Sequence, residues 1–185
     1  ELDAAHAQGL RALFYAQDIK LGDHKATPGI LDDPVKRERL DAMIERVKNH
    51  PAMYAYYVFD EPSAALFPAL GRLVAYIRER DPHHMALINL FPCYASAVAL
   101  GTSGDTVTAY REHLRQFVEI VKPDLISWDH YHFREGTVTK EPYDGGGYFL
   151  NLALAREAAL YGGIPFANTV QAITLGPSHR IPNGD

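Results

Sequence analysis

Short, nearly unbroken apolar runs alternate along this chain with longer stretches in which apolar residues recur at helical spacing. Strands are expected near residues 10–16, 54–60, 85–90, 124–130 and 164–170. These runs are apolar, aromatic and β-branched with few polar alternates, the composition of strands buried on both faces. Between them, Asp33-Pro34 opens a helix carrying Leu40, Met43, Ile44 and Val47 on one face. Pro68 opens the next, with Leu70, Leu73, Val74 and Ile77 as its stripe and Asp81-Pro82 at its end. Tyr110, Leu114, Phe117, Val118 and Val121 mark a third, stopped before Pro123, and a fourth runs from about Phe149 to Tyr161 with Gly162-Gly163 as its C-cap. The opening residues Leu2 to Gln8 read as the end of an amphipathic helix.

Strict β-α alternation means parallel strands joined by crossover helices, either a doubly wound sheet or a closed barrel. No G-x-G-x-x-G follows any strand, so the dinucleotide fingerprint is missing and no cofactor is expected. Each apolar run instead ends in polar residues: Gln17; Asp60 with Glu61; Asn89; Asp129 with His130; and Gln171. Chemistry drawn from several strand ends is the pattern of the (β/α)8, or TIM, barrel. The expectation is an α/β fold, a partial (β/α)8 barrel with parallel strands and outer helices. Residues 1–185 would form a single barrel domain, truncated at both ends.

Composition narrows the partners. The chain has 185 residues, 47% hydrophobic and 22% charged, with a net charge of -5, and no basic run suits a nucleic acid. No apolar stretch is long enough to span a bilayer. One cysteine, Cys93, cannot pair within the chain, and a packed thiol is expected of it rather than a nucleophile.

Four phrases carry a family resemblance: His50 to Pro62 (HPAMYAYYVFDEP), Ile88 to Pro92 (INLFP), Ser127 to Tyr131 (SWDHY) and Gly163 to Gln171 (GIPFANTVQ). In them the chain resembles the (β/α)8 glycoside hydrolases of bacterial polysaccharide degradation, most of all the β-galactosidase-like ones. The resemblance implies that the five runs are barrel strands three through seven, and that Glu61 is the acid/base at the end of strand four. It places His130 and Tyr131 where such enzymes orient the nucleophile or bind sugar, and points to a secreted or periplasmic setting. Two positions depart from the pattern. Asp60 stands where Asn is usual, and Gln171 stands where the nucleophilic Glu is expected.

Glycoside hydrolysis needs a proton donor for the leaving oxygen and a second group across the sugar. Glu61, ending an apolar strand beside another carboxylate, suits the donor, although an acidic helix cap is the competing reading. Asp60 would supply a field or bind a hydroxyl; strand alternation expects it on the face opposite Glu61. Asp129 is the remaining carboxylate, as base or nucleophile, or as the group that orients His130. Gln17, Asp60, Asn89, His130, Tyr131 and Gln171 are the expected sugar-binding residues. Tyr15, Phe91, Tyr94 and Tyr131 could stack on sugar rings, whereas Trp128 is expected in the core. Two rival readings stand: a non-catalytic carbohydrate-binding barrel, suggested by Gln171, and a metal-dependent hydrolase using His130 and His132. Bare sheet edges would need the rest of a barrel or a second copy to cover them.

Overall fold

The computed structural model describes residues 2–15, 27–133 and 147–172. Five parallel strands lie side by side in chain order: β1 (Ala12–Phe14), β2 (Met53–Asp60), β3 (Met85–Leu90), β4 (Ile126–Asp129) and β5 (Phe166–Thr169). Every neighbour in the sheet is also the neighbour in sequence. That order belongs to a sheet wound one way round, and the sheet curls into part of an α/β barrel with its helices outside. The helices are α1 (Leu2–Ala7), α2 (Pro34–Val47), α3 (Phe67–Arg80), α4 (Ala97–Leu100), α5 (Thr106–Gln116) and α6 (Tyr148–Gly162).

Local chemistry fixes their ends. The Asp33 carboxylate accepts from the Val35 and Lys36 amides at 3.0 and 3.3 Å, with Pro34 in the first turn of α2. Asp105 caps α5 by accepting from Thr108 N at 2.8 Å, and Gly163 ends α6 in the left-handed conformation. After α5 the chain widens into a π-helical turn over Phe117–Val121. α3 packs on this turn so closely that a Cβ on Gly71 would stand 2.6 Å from the Ile120 carbonyl oxygen.

The strands match the apolar runs, but β1, β4 and β5 are shorter than expected. One core fills the space between sheet and helices, built from Tyr56, Val58 and Phe59 of β2, Ile88 and Leu90 of β3, and Ile126 and Trp128 of β4. Cys93 is buried there as well. Among the described residues, β1 and β5 each have a strand on one side only. Apolar surface is uncovered near both: Leu10 and Leu13 beside β1, and Phe149, Leu160, Tyr161 and Val170 around α6 and β5.

Candidate functional site

The site is built at the carboxyl ends of β2, β3 and β4. Strand alternation puts Ile88, Leu90, Ile126 and Trp128 into the helix-side core, which leaves Leu87, Asn89, Ser127 and Asp129 on the other face. β2 joins this row through an irregularity. Tyr57 pairs with Leu87, Phe59 with Ile88 and Asp60 with Asn89, so β2 carries one more residue than β3 over this span. Both Val58 and Phe59 enter the helix-side core. The extra residue brings Asp60 back to the same face as Tyr57; an unbroken strand would have turned it toward the helices.

Hydrogen bonds run along the row. Ser127 Oγ donates to Asn89 Oδ1 at 3.1 Å, and Asn89 Nδ2 donates to Asp60 Oδ1 at 3.2 Å. Glu61 follows. Its amide still donates to the Asn89 carbonyl at 2.8 Å, as a further strand residue would, but its φ is +47°. Few side chains adopt this left-handed region without a reason, and such strain collects at functional sites. Alternation therefore stops at Asp60. Glu61 lies within the field of both Asp60 and Asp129.

Three carboxyl groups thus share one rim. Burial, then the Asp129 and Asp60 charges, push the Glu61 carboxyl up to about 7. Burial also raises Asp129, with Asp60 adding to it, while hydrogen bonds from Tyr131 and Asn89 pull the other way. Asp129 is 8% exposed, and its Oδ1 has no hydrogen-bond partner among the described residues. The Tyr131 hydroxyl is raised by burial and by its bond to Asp129, and Tyr57 by burial and the neighbouring Asp60. Tyr57, which the sequence did not single out, meets Tyr15 edge to face at 6.1 Å. Alternation could have found it, since it stands on the face that Asp60 shares.

Other candidates lie elsewhere. Gln17 is outside the described residues. His130, one residue past Asp129, is fully buried, with Nδ1 3.1 Å from Asn151 Oδ1 of α6 and the Tyr94 and Tyr148 rings edge-on at 4.9 and 5.5 Å. It serves the interface behind the rim. Gln171 is 2% exposed: Oε1 accepts from Phe133 N at 3.0 Å and Nε2 donates to Phe133 O at 3.1 Å. His130 and His132 do not converge on a common point through Nδ1, since the His132 Nδ1 lies 3.1 Å from the His130 carbonyl oxygen and the rings meet at 6.2 Å. Among the described residues no three His, Cys, Asp or Glu side chains are grouped to hold a metal ion. Trp128 is core, as expected, with no exposure.

No protein-family model matches the sequence, and no curated protein gives a significant match. Among solved structures the chain is similar to a beta-mannanase from the blue mussel Mytilus edulis, at a TM-score of 0.48 and 14% identity. The likeness covers 91% of this chain, which spans 65% of that protein.

Proposed function

We propose that the chain is the catalytic part of a glycoside hydrolase in which Glu61 donates the proton to the leaving oxygen. The observation that supports this most is the grouping of Asp60, Glu61 and Asp129 at one end of a parallel sheet, with Glu61 held protonated up to about pH 7. A general acid works best when its pKa sits near the working pH, and burial beside like charges is how a glutamate reaches that value. Asp129 or Asp60 supplies the second carboxylate. A retaining mechanism asks for a separation of about 5 Å and an inverting one for roughly 6.5–9.5 Å. The partner is a poly- or oligosaccharide, and the edges beside β1 and β5 are covered by further chain or a second copy. The test is Glu61→Gln assayed on glycosides with unactivated leaving groups. Activity within a factor of two of the parent removes Glu61 from the mechanism.

One observation favours a second reading, a barrel that binds carbohydrate without cleaving it. Asp129 is nearly buried and held by Tyr131 and Asn89, a setting that suits reading a hydroxyl better than attacking a carbon. Binding of oligosaccharides with no turnover across a glycoside panel would select it.

A further inference from the structure

Past β4 the chain crosses residues 130–133 with no regular secondary structure, yet this stretch carries Tyr131, whose hydroxyl is bonded to Asp129. Two buried amides hold its ends. At one end Asn151 Oδ1 lies 3.1 Å from His130 Nδ1 and accepts from Cys93 N at 2.7 Å. Its Nδ2 donates to the Tyr110 hydroxyl at 2.9 Å, which donates in turn to the Phe91 carbonyl at 2.9 Å. At the other end Gln171 bonds both the N–H and the C=O of Phe133.

We infer that Asn151 and Gln171 are a pair of amide clamps on the 130–133 segment, and that Gln171 is through it a positioning residue for Tyr131 and Asp129. A carboxamide presents a donor and an acceptor side by side in one plane, so it meets both polar groups of one residue as a neighbouring strand would. An ionised glutamate presents two acceptors. It would still satisfy Phe133 N, but it would face the Phe133 carbonyl with a second oxygen in place of the N–H that now donates to it. The amide where the family resemblance expects a nucleophile therefore has work that a carboxylate cannot do. The catalytic consequence rests on the hydrolase reading above; the clamp itself does not.

The test uses Gln171→Glu, Gln171→Met and Tyr131→Phe in this chain. A protonated carboxyl offers C=O and O–H in the amide's arrangement, so Gln171→Glu restores the clamp only when neutral. Burial and the Phe133 carbonyl raise that glutamate above its unfolded value of about 4.3. Its Tm deficit against the parent is then small below about pH 4 and grows as pH rises through the folded value, to roughly 5 °C at neutrality. The parent carries the same Asp129, His130, Tyr131 and His132, so the difference isolates position 171. Gln171→Met shows a deficit that does not follow this course. A Gln171→Glu deficit equal at every pH, or none, overturns the clamp. Carbon-13 NMR of the Asp129 carboxyl reads the positioning: Gln171→Met and Tyr131→Phe both move its titration upward. An unmoved titration in Gln171→Met overturns that role; if this variant does not fold, Gln171→Asn, a neutral amide one methylene too short to reach Phe133, carries the same readout. Neither measurement uses turnover, so a parent inactive on all glycosides sinks the hydrolase reading and leaves the clamp standing.

Discussion

The two ends of the sheet treat buried acids in opposite ways. Where β3 begins, Asp81 is 2% exposed and fully served: Tyr56 Oη donates to it at 2.6 Å, the His83 amide at 3.1 Å, and His84 Nδ1 lies 2.8 Å away. Burial pushes this carboxyl up, the Tyr56, His84 and His83 bonds outweigh it, and the net result lies below the ordinary range. Four residues further along β2 the sheet ends at Asp60 and Glu61. Glu61 is pushed up to about 7, and Asp129 keeps an oxygen without a partner among the described residues. A carboxylate whose bonds are all made contributes to stability and has nothing left to offer a ligand. A crowded and under-bonded one costs stability and keeps its chemistry available.

This contrast is open to attack from both sides. The largest effect is expected of Glu61→Gln, with turnover lowered about 10²–10⁴-fold, the usual contribution of a general acid. In the parent, activity declines as pH rises through about 7, where the acid loses its proton. Stability moves the other way. Glu61 is raised on folding, so its ionised form opposes folding from the unfolded pKa of about 4.3 upward, in full above the folded value. The Tm of Glu61→Gln therefore exceeds the parent's increasingly between pH 5 and 8, and a flat difference would mean that ionised Glu61 does not oppose folding.

Tyr56→Phe should do the reverse, costing about 1.5–3 kcal/mol of stability through the lost bond to a charged acceptor and leaving turnover as it was. Asp81 is lowered on folding, so its contribution is present above an unfolded pKa of about 3.9 and fades as pH falls through the folded value. Denaturation curves of parent and variant should converge in acid; a gap that persists there denies Asp81 the role. Asp60→Asn is expected to move the alkaline fall in activity to lower pH, because a charge that raises Glu61 is gone. A pH–rate profile with an unmoved limb rules Asp60 out as a source. The smallest effect on stability belongs to Glu61→Gly compared with Glu61→Gln. Release of a left-handed side chain gains about 1 kcal/mol or somewhat less, offset in part by the freer unfolded chain, while activity is lost. Urea unfolding of Glu61→Gly against Glu61→Gln, in which the charge is already gone, measures it, and a loss larger than the roughly 1 kcal/mol usual for glycine's freer unfolded chain would mean φ +47° costs nothing here.

Much of this fold was written in local pattern. Residues 85–90 became β3 at those bounds, and the Asp33-Pro34 and Gly162-Gly163 signals mark the ends of α2 and α6. The burial of His130 was also within reach: it stands one residue from Asp129, so a strand that aims the acid at the rim aims the imidazole at the helices. Other features depend on partners far along the chain. Gln171 reads as a spent nucleophile until Phe133, 38 positions away, is seen against it. Asn151 lies inside an apolar helix with nothing nearby to mark it, because Cys93 is 58 positions away. The phase of β2 was illegible for a different reason, since a register shift exists only between two strands.

That shift has a consequence for how such a site can change over evolutionary time. Asp60 faces its Asn89 neighbour because of how many residues precede it, not because of which residues they are. Substitutions at Val58 or Phe59 keep that number, so the aspartate stays on its face whatever side chains the core accepts. Loss of a single codon in the same stretch would turn it toward the helices while leaving the phrase nearly intact. Two chains could then share the tyrosine-rich run and its Asp-Glu-Pro ending and yet differ in chemistry, and gap placement within the strand would tell them apart where percent identity would not.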